Sequence, residues 1–171
     1  MSKVALQDDM PVPVIEQRDD MGRLVAVAWK GVASDEAAGN DRWLVAVDGS
    51  ACSLRAVEMV GRMAAVEQGA GVDLVHVQSW LNKEAAETEL ARRGWAATAQ
   101  ARRFLDAAGV SWRLQSLMGE EAPEIVRLAE ALGSRGIAMG SRGQTAAESV
   151  LLGSVAYKVV HLAKSSVLLV R

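Results

Sequence analysis

Near the end of the chain, Gly140-Ser141-Arg142-Gly143 is followed after nine residues, Gln144 to Leu152, by Gly153-Ser154. The apolar triplet Ile137-Ala138-Met139 that precedes it suits a buried strand, and the stretch from Val150 to Lys164 reads as a helix. A strand therefore ends in a glycine loop, and a second Gly-Ser pair falls in the first turn of the following helix. That arrangement turns backbone N–H groups and the positive end of a helix toward an anion. Glycine permits close approach of backbone to ligand. Ser141 and Ser154 offer hydroxyls, and Arg142 adds a fixed positive charge. The chemistry on offer is phosphate binding. Neither Gly-x-x-x-x-Gly-Lys-Ser/Thr nor Gly-x-Gly-x-x-Gly occurs, which excludes the P-loop and the dinucleotide fingerprint.

The elements that must position this loop are legible upstream. Trp43 to Val47 forms a first apolar strand, and Asp48-Gly49-Ser50 turns it into a helix over 53–68. Ala56, Val57, Val60, Met63 and Ala64 give that helix one buried face. Val72 to Val77 is a second strand, and a single long helix is expected over 83–108 with Leu90, Gly94, Ala97, Ala101, Phe104 and Leu105 inward. Strands at 110–117 and 137–139 enclose a helix that starts near Pro123 and stops at Gly133; Val167 to Val170 closes the chain. Strands alternating with helices at this spacing imply an α/β domain, an open doubly wound parallel sheet with helices on both faces. In such sheets a ligand sits beyond the carboxyl ends of the strands, where strand order reverses. If the first and fourth strands are neighbours there, Asp48 and Gly140 face one crevice.

The glycine motif, together with Leu44-Val45-Ala46-Val47-Asp48-Gly49-Ser50 and Asp73-Leu74-Val75-His76-Val77, resembles the universal stress protein family. Its ATP-binding members carry Gly-2x-Gly-9x-Gly-Ser/Thr, and the resemblance covers about residues 42–171. It implies a Rossmann-like single domain with five parallel strands in the order 3-2-1-4-5. It also implies ATP as ligand, with Mg2+ held mainly by the phosphates. Carried over position by position, Ala46, Val47 and Val77 would wall the adenine, and Asp48 would accept from ribose hydroxyls or the adenine amine. Gly140, Ser141, Arg142, Gly143, Gln144 and Thr145 would cradle ribose and the first phosphates, and Ser154, Val155 and Ala156 would take the terminal phosphates. Met139, Ala146 and Gly153 complete the nucleotide-binding positions. Three positions depart from the family pattern. Ala156 stands where many ATP binders have a hydroxyl, Ser165-Ser166 replaces a common Cys-Pro, and Gly136 replaces a frequent Asp. On the residues alone, Asp48 has a second role open, capping the next helix or tightening the turn, and apolar strand ends also serve simply as core.

The resemblance further implies a regulatory protein that reports nucleotide state to an unidentified protein partner in a stress response, and a homodimer that pairs its Val167–Val170 strands. The alternative is a slow ATPase, or a phosphoryl or nucleotidyl transferase, using the same site. No nucleophile is placed beside a base in the sequence: His76 and His161 are far apart, and His76 lies in a buried strand as a core or rim residue. At most weak ATP hydrolysis is expected.

Composition sets further bounds. Half of the residues are hydrophobic but only 4% are aromatic, five of them Trp, so the core must be mainly aliphatic. A net charge of −2 argues against a dedicated nucleic-acid or acidic-membrane surface. The single Cys52 rules out an intramolecular disulfide; it sits in a helix's first turn, where thiols can be activated, but without a partner it reads as a buried structural thiol. No apolar run approaches the roughly 18 residues that span a bilayer, and the first residues lack the apolar centre of a signal peptide. A cytoplasmic protein is expected. Residues 1–41 read as an extension, mobile or carrying one added strand at Leu24–Trp29.

Overall fold

The computed structural model of the chain describes residues 10–31, 41–67, 70–144 and 151–171. In chain order its elements are β1 (Ile15–Arg18), β2 (Leu24–Lys30), β3 (Trp43–Ala46), α1 (Ala51–Val66), β4 (Gly71–Gln78), α2 (Lys83–Ala97), α3 (Ala99–Ala107), β5 (Ser111–Met118), α4 (Glu121–Leu132), β6 (Gly136–Gly140), α5 (Ser154–Leu162) and β7 (Ser166–Val170). One sheet holds all the strands in the order β1-β2-β5-β4-β3-β6-β7.

A strand without a polar face needs cover on both sides, and β3 has it. It pairs in parallel with β4 and with β6, and its side chains divide between two cores. Leu44 and Ala46 join Ile125, Leu128, Ile137 and Val159 on the α4 and α5 side. Val45 and Val47 join Val57, Val60, Leu90 and Leu105 beneath α1, α2 and α3. The parallel strands β5-β4-β3-β6-β7 run in the order expected from the sequence, 3-2-1-4-5, and strand order reverses between β3 and β6.

Among the described residues the sheet has seven strands rather than five. β2 pairs antiparallel with β5, and β1 pairs antiparallel with β2. The reason for β2 is burial: Leu24, Val27 and Trp29 are almost wholly covered, and Trp29 Nε1 donates to Pro11 O at 2.9 Å. β1 carries no buried side chain, so its sequence, Ile-Glu-Gln-Arg, holds no period to detect. Residues 1–9 and 32–40 of the expected extension lie outside the described residues.

The long helix expected over 83–108 is two. Buried Thr98, at φ −98° and ψ 4°, separates them, and its hydroxyl donates to Gly94 O at 2.8 Å, competing with the helical backbone bond. Two further boundaries shift. α1 starts at Ala51 because Ser50 caps it, accepting from Ser53 N at 3.2 Å. α5 covers Ser154–Leu162, shorter than the stretch from Val150 to Lys164, and Val150 lies outside the described residues. Among the described residues no helix is long and apolar enough to cross a membrane.

Asp73, 3% exposed at the start of β4, is gripped by two guanidinium groups. Arg42 Nε donates to it at 3.1 Å, and Arg113 donates through Nε and Nη2 at 2.6 and 2.7 Å. Burial pushes the Arg42 guanidinium below its ordinary pKa, with Asp73 opposing the shift. Removing the carboxylate leaves Arg42 charged and buried. Asp73→Ala is expected to lower unfolding stability by about 3–5 kcal/mol in urea denaturation. A loss no larger than that of Glu58→Ala, an exposed-pair control on α1, would refute the role given to this network.

Candidate functional site

Just past the end of β3, the main-chain groups of Val47 are already committed to the neighbouring strand β4. Val47 N donates to Val75 O at 2.8 Å, and Val47 O faces His76 Nδ1 at 2.9 Å. Since a carbonyl only accepts, Nδ1 is the donor in this contact. Asp48 follows, and both carboxylate oxygens are used: Oδ1 accepts from Ser50 N at 2.9 Å, and Oδ2 from Gln144 N at 3.2 Å. Gln144 Nε2 also donates to Asp48 O, at 2.5 Å. Asp48 therefore does tighten the turn into α1, and it also holds the glycine loop, which comes from a strand far along the chain.

The glycines of that loop answer to close packing. A Cβ on Gly140 would lie 2.7 Å from Cys52 Cβ and 2.8 Å from Ser53 N, so the end of β6 presses on the first turn of α1. A Cβ on Gly143 would lie 3.0 Å from Asp48 Oδ2. Between them, Ser141 ties the loop in two directions, with its N–H donating to Val170 O and its carbonyl accepting from Gly153 N, both at 2.7 Å. Gly153 caps α5 without a side chain, and Tyr157 N makes the first helical bond, to Gly153 O at 2.9 Å. The N–H groups of Ser154, Val155 and Ala156 have no carbonyl to reach within the helix.

These parts enclose a cavity of about 590 Å³ at the carboxyl ends of β3, β4 and β6. Of the residues singled out in the sequence, Ala46, Val47, Asp48, Val77, Met139, Gly140, Arg142, Gly143, Gln144, Gly153, Ser154, Val155 and Ala156 line it. Ser141 does not: it is 4% exposed, with its hydroxyl buried and without a hydrogen-bond partner. Its main chain, rather than its hydroxyl, serves the loop. Thr145 and Ala146 lie outside the described residues.

The sequence reading missed Ser53, Val75, His76, Gln78, Ser79, Glu121 and Ile125 as lining residues. Ser53 was accessible to inference, since it sits in the first turn of the helix entered from Asp48. Glu121 opens α4 and carried no signal, because an acidic residue there reads as complement to the helix dipole. Neighbouring Glu120 accepts from Lys158 Nζ at 2.8 Å, which joins the start of α4 to the middle of α5. The lining thus combines an apolar wall, one guanidinium, two carboxylates and the open end of a helix. Among the described residues no group of three or more His, Cys, Asp or Glu could hold a metal ion.

The model of the universal stress protein family matches residues 39–171. Universal stress protein YxiE of Bacillus subtilis (strain 168) is 30% identical over 147 residues, covering 77% of this chain and 99% of its own. Of solved structures, that of hypothetical protein MJ0577 is similar with a TM-score of 0.68 and 25% identity, over 77% of this chain and 95% of that one. A universal stress protein in complex with cAMP gives a TM-score of 0.63 and 26% identity, over 77% of this chain and 97% of that one.

The two loop glycines should respond differently to a methyl group. Gly140→Ala meets backbone and is expected to lower stability by about 1–3 kcal/mol. Gly143→Ala meets a carboxylate oxygen that can shift, for less than about 1 kcal/mol. Denaturant midpoints of the two variants check the ranking, and equal losses would contradict it.

Proposed function

This chain belongs to the universal stress protein family, and we propose that it is an ATP-binding regulatory protein of that family. In this reading it transmits nucleotide occupancy to a protein partner in a stress response, in the cytoplasm. The observation that carries the proposal is convergence: the turn after β3, the glycine loop after β6 and the open N-terminus of α5 meet at one cavity. Its volume, about 590 Å³, falls within the range of small-molecule sites. The similar protein solved with cAMP supports an adenine nucleotide as the class of ligand.

The roles divide by chemistry. Ala46, Val47, Val77 and Met139 offer apolar surface to an adenine ring. Asp48 keeps acceptor capacity for a ribose hydroxyl, because each carboxylate oxygen has more than one lone pair and the bonds from Ser50 N and Gln144 N use one apiece. The Arg142 side chain and the backbone of Arg142 and Gly143 face the first phosphates, while the main chain of Ser141 and Gln144 N hold the loop itself. The first-turn N–H groups of α5 and the Ser154 hydroxyl take the terminal ones. Ala156 supplies a backbone donor where a hydroxyl is absent. Mg2+ fits this site as a cation held chiefly by phosphate oxygens, since among the described residues the lining brings isolated carboxylates and no ligand cluster.

The test is to denature protein purified without added nucleotide and run the supernatant on ion exchange beside ATP, ADP and AMP standards, together with a Gly143→Trp variant. ATP at near one equivalent is expected in the wild type and none in the variant. An empty wild type that also ignores millimolar Mg-ATP would overturn the reading. Conversion of bound ATP to ADP over time would make the protein a hydrolase instead.

A homodimer through β7 is part of the same proposal. β7 is the last strand of the sheet, and α5 beside it exposes Tyr157, Val160 and Leu162. A bare apolar edge of this kind invites strand pairing. Sedimentation at micromolar concentration should give a dimer, and a monomer would count against it.

A further inference from the structure

The turn between β1 and β2 lies against the loop that leads from β4 into α2. Arg23 is set by Asp19, whose carboxylate accepts from its backbone N and its Nε, each at 2.9 Å. The guanidinium stands 4.8 Å from the centre of the Trp80 ring, and its Nη1 is 3.5 Å from Leu81 O. Lys83 Nζ donates to Met21 O at 3.1 Å. The far side of the loop is held from β5 and the turn after it, through Leu81 N to Met118 Sδ at 3.1 Å and Gly119 N to Gln78 O at 2.9 Å. Residues 79–82 belong to no strand or helix, and Trp80 is 60% exposed, so no ladder fixes this segment and Leu81 alone packs against the core from it. Yet the chain just before Trp80, Val77 to Ser79, is a wall of the cavity.

We infer that Arg23 is a positioning residue for the nucleotide site: the N-terminal hairpin, which precedes the residues shared with the family, clamps the β4–α2 loop and holds Ser79, where the cavity wall leaves the β4–β5 ladder, in its binding shape. The inference rests on the nucleotide reading above. A loop ordered before binding loses less freedom on binding, so the clamp raises affinity without touching the ligand. Most of the change falls on the dissociation rate. The same hairpin supplies its own control. Arg18 Nη2 donates to Glu87 Oε2 on α2 at 2.9 Å, and Arg18 Nη1 donates to Gly22 O within the hairpin at 3.1 Å. Its bonds thus reach the helix and the hairpin's own turn rather than the loop. Loss of Arg18 loosens the hairpin's hold on the helix, whereas loss of Arg23 frees the Ser79 end of the cavity wall.

The experiment uses the full chain. Mg-ATP is titrated by calorimetry into wild type, Arg23→Ala and Arg18→Ala, and amide hydrogen exchange is followed without nucleotide. Arg23→Ala is expected to weaken ATP about three- to ten-fold. It should also speed exchange at residues 79–82 while leaving β2 and β5 as protected as in wild type. Arg18→Ala should bind ATP as wild type does. Unchanged affinity in Arg23→Ala, or equal weakening in both variants, overturns the inference. A wild type that binds no nucleotide overturns the nucleotide reading and the claim on affinity with it. Exchange at 79–82 then decides the clamp by itself, and an unchanged rate in Arg23→Ala disproves it.

Discussion

The parallel ladder between β3 and β6 is the constraint on which the site depends. Ala46 stands in register with Met139, so the two chains leave the sheet side by side. Strands paired this way lie only about 4.8 Å apart, and whatever follows each must fit against the other. Asp48 takes that position on one side and the Gly140–Gly143 loop on the other. The carboxylate then spans the gap by accepting from Gln144 N at 3.2 Å. A Cβ at Gly143 would crowd that carboxylate, and one at Gly140 would strike the first turn of α1. The glycines of the motif are thus explained by protein packing before any ligand is considered. In the proposed function the loop needs close approach twice, to its own neighbours and to the anion.

A second layer joins the added strands to this frame. The chain has few aromatics, and three of its five Trp meet in one place. The Trp29 and Trp95 rings are 5.3 Å apart, and those of Trp95 and Trp112 are 6.4 Å apart. Arg102 lies over Trp95, and burial pushes its guanidinium down to about 10. The indole N–H groups of Trp29 and Trp112 are satisfied, by Pro11 O and by Asp106 Oδ1. This cluster binds β2, α2, α3 and β5 together. It gives a physical reason for the hairpin to continue the sheet rather than trail from it. The same hairpin reaches the β4–α2 loop, which puts a segment outside the shared family region in touch with the rim of the cavity.

Much of this architecture was legible in the residues. Apolar runs without alternation, such as Trp43–Val47 and Ile137–Met139, announce strands covered on both faces. Gly140, Gly143 and Gly153-Ser154 announce a backbone cradle at a helix start. Asp48 at a strand end was legible as an acceptor or as a turn residue, and it proves to tighten the turn while it holds the glycine loop. Other features had no local signature. β1 is exposed along its whole length and pairs only because β2 offers an edge. The break at Thr98 comes from one hydroxyl that finds Gly94 O inside a stretch whose apolar spacing runs on unbroken. His76 read as a core or rim residue, and only the pairing of β4 with β3 sets it against Val47 O in the cavity lining.

By itself, then, the sequence determined the run of strands and helices from β3 onward apart from the break at Thr98, that the strands must be sandwiched, and which short motif can present backbone N–H groups to an anion. These depend on local propensity and periodicity, which neighbouring residues carry between them. Tertiary structure alone decided that Ser141 serves through its main chain and that Glu121 and Ser79 share a cavity. It also decided that Arg23, far from the glycine loop in sequence, stands beside a wall of the same site. Those facts come from contacts between distant segments, whose free energy depends on the shape of the space left by everything else, and no short stretch of chain encodes that shape.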